Sequence, residues 1–391
     1  MKKIAIIGAG IGGLALAIRL AKQGFLVTIF EKNSYPGGKL SELKIDGFRF
    51  DKGPSLFTMP NLIEELTSLS SQKLKFNYLK LDTLTHYFYE DGTTIKASSN
   101  VEEFAEEIHQ KLNEPKESVL KYLKQNAFYY TTTEGVFLKQ SLHQLKNFIN
   151  LKTLKGIIWS PFLGIFSTMN QKNEKYFSNP KTVQLFNRYA TYNGSNPYKA
   201  PGLMNMISHL EFNLGAYLPL EGMHQITQHL KDLSEELGVT IKYNQKVEKL
   251  SVDENSCIKS IVSNHVSYHF DAVASDVDMH VLYHKLLPKK FSPKKLLNQE
   301  KSSSAFVFYW GINQEFQSLG LHNILFSQDY QKEFDAIFST QSPYHDPTIY
   351  INITSKYCKN DAPEGCENWF VMVNVPHNTC KSINYSNELR K

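Results

Sequence analysis

Long apolar runs are missing from this 391-residue chain. No stretch approaches the roughly 18 consecutive apolar residues of a membrane-spanning helix, so none is expected. The short run from Ile4 to Ile7 begins too early for a secretory leader. Cysteine is scarce: Cys257, Cys358, Cys366 and Cys380 show no C-x-x-C spacing and no neighbouring histidine cluster, which argues against a zinc site or any other metal centre. So few cysteines in so long a chain also argue against a disulfide framework. Free thiols in a reducing cytoplasm are expected. Charge of one sign is not in large excess: 43 Lys and Arg face 38 Asp and Glu, a net +5, with no basic block or stripe. Nucleic acid is therefore not an expected partner, whereas a weak preference for anionic membrane surfaces stays open. Internal repeats and low-complexity segments are absent.

Aromatic residues are plentiful, at 25 Phe, 21 Tyr and 3 Trp, and hydrophobic residues make up 41% of the chain. That composition supplies a large core and enough length for two domains. The aromatics admit two readings, a well-filled core or the lining of a long apolar cavity.

The strongest signal lies at the amino terminus. Lys3–Ile7 reads as a buried strand of the parallel type, Gly8-Ala9-Gly10-Ile11-Gly12-Gly13 as a tight turn, residues 14–24 as a helix stopped by Gly24, and 25–30 as a second buried strand ending at Glu31. A lone G-x-G-x-x-G is weak, but a strand before it, a helix after it and an acid at the end of the next strand form the dinucleotide fingerprint. Gly8 makes the turn, Gly10 admits a pyrophosphate against the backbone, and Gly13 lets helix and strand pack closely. The helix start offers free N–H groups to phosphate oxygens. Glu31 is suited to accept from a ribose hydroxyl, and it would repel the 2′-phosphate of NADP.

Further along, Asp46-Gly47 and Asp91-Gly92 each read as a two-residue hairpin turn, joining 43–45 to 48–50 and 86–89 to 93–96. Pro60 is placed at the first position of a helix, and Asn100 with Glu103 as a capping box for Val101–Leu112. Residues 116–190 are mostly helical by pattern. Within them 138–166 is basic and apolar, with Lys139, Lys146, Lys152 and Lys155 beside Phe148, Trp159, Phe162 and Phe166. Alternating strand and helix patterns return near Gly215 and run to 275. The expected fold is therefore α/β: a discontinuous Rossmann-type domain of 1–105 and 200–280, with an inserted α+β substrate domain of 106–199 and 281–391.

Directly after Glu31 comes Pro36-Gly37-Gly38-Lys39, where flavin amine-oxidase-like proteins carry a second glycine pair, commonly followed by Arg. Lys39 keeps the charge and loses the planar two-point contact. The segment Phe50-Asp51-Lys52-Gly53-Pro54-Ser55-Leu56-Phe57-Thr58-Met59-Pro60 then resembles the F-D-x-G-P-S…M-P signature of bacterial carotenoid (phytoene-type) desaturases. Arg188 to Tyr198 (RYATYNGSNPY), Asp346-Pro347-Thr348 and Cys366-Glu367-Asn368-Trp369 resemble the same family, so the likeness covers essentially the whole chain. It implies FAD as the cofactor. Gly8, Ala9, Gly10, Ile11, Gly12, Gly13, Glu31 and Lys32 are assigned to it, with Gly37, Gly38, Lys39, Leu40, Gly53, Pro54 and Ser55. Val247 resembles the valine whose backbone meets the adenine.

The resemblance also implies oxidation of CH2–CH2 to CH=CH in a hydrophobic polyene held in a long apolar tunnel, with oxygen or a quinone reoxidising the flavin. It implies peripheral contact with the inner face of the cytoplasmic membrane, for which 138–166 is the candidate segment, the other reading being a buried helix pair. The run from Ser34 to Glu42 is closer to hydroxycarotenoid 3,4-desaturases than to phytoene desaturases proper. No catalytic acid, base or nucleophile is assigned, because the cofactor carries the difficult chemistry. Two departures stand out. Glu221-Gly222 replaces a glycine pair. No glycine follows Gly365, where the family has a glycine-rich segment closing over the flavin, so a truncated chain with weak flavin retention is expected, and a catalytically impaired FAD-binding protein is the alternative.

Overall fold

A computed structural model describes residues 1–72, 74–137 and 164–377. The chain forms two compact units, one of Met1–Leu79 and Tyr217–Glu300, the other of Lys80–Ala216 and Lys301–Lys391.

The first unit is a three-layer sandwich. Its central sheet is parallel and four-stranded. Strand β1 (Lys3–Ile7) lies between Ala272–Ser275 on one side and β2 (Leu26–Phe30) on the other, and Thr240–Lys242 follows β2. Strand alternation splits the apolar side chains between two faces. Ile6, Val27 and Ile29 join Leu14, Ala17 and Ile18 of helix α1 (Ile11–Lys22) and Leu230 and Leu233 of the helix His224–Glu236. Ala5, Ile7 and Phe30 point the other way, onto Val247, Leu250 and Ile261 of an antiparallel sheet built from Val247–Val252, Ile258–Ser263 and Val266–Tyr268. Gln23 ends α1, and Gly24 follows in the left-handed region at φ +86°.

The second unit carries a six-stranded mixed sheet in the order Ser304–Ile312, Glu367–Val375, Ile349–Asn352, His322–Leu325, Thr83–Phe88 and Thr94–Ser98. Thr83–Phe88 pairs in parallel with His322–Leu325. That pairing corrects the expected domain boundary at 105: residues 80–105 belong to the second unit. Residues 200–216 do too, since Phe212 stacks on Phe104 at 4.5 Å. Residues 281–300 belong to the first. The aromatic surplus largely fills this unit's core. Tyr122, Phe177, Phe186 and Phe212 are buried around Phe104 with ring centroids 4.4–6.4 Å apart.

One of the two expected hairpin turns forms as expected, and the other needs revision, as do both helix starts. Asp46 and Gly47 both adopt positive φ, as a two-residue hairpin turn requires. At the second hairpin only Gly92 does. Gly92 N–H bonds to Tyr89 O and Tyr89 N–H to Thr93 O, so the loop is longer by a bulge residue. The Asn100 side chain accepts from Glu102 and Glu103, but the Asn100 N–H goes to Ser98 Oγ instead of Glu103, which leaves half of the expected capping box. Pro60 sits one position earlier than expected, as the cap of Asn61–Thr67. Among the described residues no helix is long and apolar enough to cross a membrane. Most of the basic, apolar segment 138–166 lies outside the described residues.

Candidate functional site

The glycine loop sits between the ends of β1 and β2. Gly8 has φ +99° and donates to Phe30 O at 2.9 Å, which draws the loop over the sheet edge. Gly10 caps α1 in an extended conformation and brings no capping side chain of its own, so the first-turn N–H groups are offered to an anion from elsewhere. A Cβ at Gly13 would collide with the Gly8 carbonyl, so glycine here sets the distance between helix and strand. Glu31, buried at the end of β2, accepts Ala9 N–H and Asn33 N–H on its two oxygens, both at 2.8 Å. Each oxygen keeps a lone pair, so the carboxylate is fixed yet able to take a hydroxyl.

The second glycine pair folds onto this loop. Gly37 N–H donates to Ala9 O at 2.7 Å, and Gly10 and Gly37 form an isolated parallel bridge. Gly37 and Gly38 both have positive φ, and a Cβ at Gly37 would strike the Leu40 carbonyl and approach Thr227 to 2.8 Å. That carbonyl accepts Thr227 Oγ1 at 2.8 Å and lies 3.2 Å from His224 Nδ1. A Cβ at Gly53 would collide with Lys39 O. Residues 8–13, 37–40 and 53 are thus brought together backbone to backbone. Asn244 and Gln245 donate to the carbonyls of Asn33 and Glu31 at 3.0 and 2.8 Å, which carries the buried Val247 to the end of β2. Lys32, Lys39 and Pro54 are exposed, and Ser55 is half-buried; these four are placed by neighbouring backbone.

Two acids that the sequence reading left without a role belong to this unit's architecture. Asp51, of the F-D-x-G-P-S segment, is buried and accepts Met223 N–H at 2.8 Å, His224 N–H at 2.9 Å and Arg49 Nη2 at 2.6 Å. It is a remote cap for the helix His224–Glu236. Gly222, at φ +84°, lets Arg49 and Asp51 approach, because a Cβ there would collide with the guanidinium. Of the pair Glu221-Gly222, Gly222 is therefore the member that needs to be glycine, and Glu221 is exposed. The second acid is Asp276, just past Ala272–Ser275. A Cβ at Gly10 would collide with its Oδ2, and one at Gly12 would lie 2.6 Å from its Oδ1. The space against Gly10 that the sequence assigned to a pyrophosphate is thus faced by a carboxylate. Its position was legible only through the pairing of Ala272–Ser275 with β1, which sets the following residue level with the loop.

In the second unit the signature segments act as brackets. Arg188 is buried among Tyr87, Tyr189 and Tyr192, its guanidinium carbon 5.4, 4.5 and 5.3 Å from the ring centroids. Its Nη2 donates to the Tyr87 hydroxyl at 2.9 Å and lies 3.5 Å from Glu211, which also accepts the Tyr189 hydroxyl at 2.6 Å. Burial raises the Glu211 pKa, offset in part by Arg188 and by the Tyr189 bond. Thr348 bonds Glu333, and Glu367 accepts Lys356, Phe316 N–H and Trp369 Nε1. A groove of about 840 Å³ is lined by Glu174, Asn187, Tyr198, Asp329, Tyr330 and Lys332 among others. Its walls are polar and do not match the apolar tunnel that the resemblance implies.

Comparison with known proteins accords with this geometry. The family described as flavin containing amine oxidoreductase matches residues 11–317. A 1-hydroxycarotenoid 3,4-desaturase from Flavobacterium sp. (strain P99-3) is 49% identical over 96% of this chain and 77% of its own length. A carotenoid 3,4-desaturase from Haloarcula japonica is 30% identical over 95% of this chain and 76% of its own. Among solved structures, an oxidoreductase from Methanosarcina mazei superposes with a TM-score of 0.65 at 16% identity, over 99% of this chain and 82% of that one.

Proposed function

Because the chain belongs to the flavin-containing amine oxidoreductases and, within them, to the carotenoid desaturases, we propose that it is an FAD-dependent hydroxycarotenoid 3,4-desaturase. The observation that carries the reading is 49% identity to a protein of that activity, together with a glycine loop onto which Glu31 and the second glycine pair fold. The cradle suits FAD. The glycines at 10, 37 and 38 keep the loop free of side chains, the first-turn N–H groups of α1 suit a diphosphate, and Glu31 suits a ribose hydroxyl. Gly53, Pro54 and Ser55 extend the same surface, and the Val247 backbone is the candidate neighbour of the adenine. Bound FAD would supply the acceptor for the hydride removed from a CH2–CH2 pair. The chain's own part is to bind and orient. The substrate is a hydrophobic polyene carrying a hydroxyl end group. Its insolubility in water calls for delivery at a membrane, so the protein is proposed to sit peripherally on the inner face of the cytoplasmic membrane, through the segment 138–166.

Expression in a host that accumulates hydroxycarotenoids tests the reading. A longer conjugated product, absorbing further to the red, is the expected result. Unchanged pigments beside a yellow, FAD-loaded protein would instead mean a flavin-binding protein without this activity. Conversion of phytoene would move the assignment to phytoene desaturase. Amine-dependent peroxide production would move it to the amine oxidases.

A further inference from the structure

Asp276 places a carboxylate in the crook of the glycine loop, against Gly10 on one oxygen and Gly12 on the other, and a Cβ at Gly13 would lie 3.2 Å from Oδ2. The Asp276 backbone is pinned there, because its N–H donates to Ile7 O at 2.8 Å. The Gly13 N–H, a donor at the start of α1, lies close enough to the carboxylate to hold its pKa down. It therefore does for the loop what a phosphate oxygen would do. Two anions cannot share that crook, and the residue is partly exposed, so the side chain has water to turn into.

We propose that Asp276 is a carboxylate gate on the dinucleotide cradle, which must turn out of the glycine loop before a diphosphate can lie against Gly10 and Gly12. This rests on the cofactor reading above and adds a residue and a direction to it. The gate stabilises the bare loop by supplying an anion to the helix start, and it weakens diphosphate binding by the same amount. It also makes binding depend on pH. Burial raises the Asp276 pKa above the ordinary 3.8, the Gly13 N–H opposes that rise, and the field of Glu31 at the end of β2 adds to it. The backbone of Gly10, Gly12 and Gly13 lies against it as well. The neutral acid repels a phosphate far less than the carboxylate, so affinity rises as the pH falls toward that pKa.

The test uses the full chain, freed of flavin, titrated calorimetrically with ADP and with FAD at about pH 8 and about pH 5. ADP carries the diphosphate without the flavin and isolates the loop. Asp276→Asn keeps the shape and removes the charge, and Asp276→Ser guards against a new amide contact. Both variants are expected to bind ADP about tenfold more tightly than the parent at the higher pH, and to bind it with less pH dependence. Equal or weaker ADP binding by both variants at the higher pH would overturn the gate, and would mean that Asp276 assists the ligand. If the parent and both variants, all folded by circular dichroism, bind neither ADP nor FAD, the cofactor assignment itself falls, and the gate with it.

Discussion

Asp51 receives the Arg49 guanidinium at 2.6 Å while capping the helix His224–Glu236 with the same carboxylate. Both side chains are largely withdrawn from water. Removing the acid leaves a buried cation with one acceptor fewer and two helix N–H groups without a cap. Asp51→Ala is therefore expected to cost about 3 kcal/mol or more in urea denaturation. Asp51→Asn retains one acceptor oxygen and should cost less. An Ala variant as stable as the parent would show that the signature Asp has no bracing role.

The glycines of the loop should respond differently to a side chain. At Gly10 the atom met is the end of an exposed Asp276 side chain, which can move; at Gly13 it is the Gly8 carbonyl, which cannot. Gly10→Val should keep the fold and lose the visible flavin absorbance. Gly13→Ala should lower stability by about 1–3 kcal/mol, because helix and strand must separate. Full flavin occupancy in a folded Gly10→Val protein would exclude the loop as the diphosphate site.

If 138–166 meets an anionic membrane, its lysines act through charge, and each is worth roughly 1 kcal/mol near such a surface. Replacing Lys146, Lys152 and Lys155 together with Glu should weaken binding to phosphatidylserine vesicles by about a hundredfold or more. Binding should also fall with added salt. Equal sedimentation of both proteins with vesicles would favour a buried segment.

The parts of the first unit that could be read from sequence are those whose signals lie close together. β1, the glycine loop, α1, β2 and Glu31 fall within the first 31 residues, and periodicity with glycine placement suffices to order them. The second unit's sheet is built differently. Thr83–Phe88 takes a parallel partner in His322–Leu325, far along the chain, and no local pattern announces such a pairing, so the boundary was drawn too late. Asp276 escaped for the same reason, since its place beside Gly10 exists only once Ala272–Ser275 lies against β1. The signature acids Asp51 and Glu367 were recognised as pattern, but their work as brackets depends on partners such as His224 and Phe316, which only the fold supplies.

His322 makes the second unit sensitive to acid. Its strand buries it, and its Nδ1 lies 2.7 Å from the Tyr350 hydroxyl and 3.2 Å from Asn352 Nδ2, which also donates to Leu321 O at 3.0 Å. The other ring nitrogen, Nε2, has no hydrogen-bond partner among the described residues. Charging this ring would bury a cation whose Nε2–H has no acceptor, within the field of Arg188. Burial first, and Arg188 second, push the His322 pKa down from 6.5 to about 3. Between those values the unfolded chain binds a proton that the folded one refuses, so stability rises with pH across that window. The contribution is fully present above about pH 6.5 and is lost as the pH falls toward 3, a total of roughly 4–5 kcal/mol. Between about pH 7 and pH 5 the urea midpoint should fall by the equivalent of about 2 kcal/mol more in the parent than in His322→Gln, which cannot titrate. Parallel pH profiles for the two proteins would mean that His322 is solvated and titrates as it does in the unfolded chain.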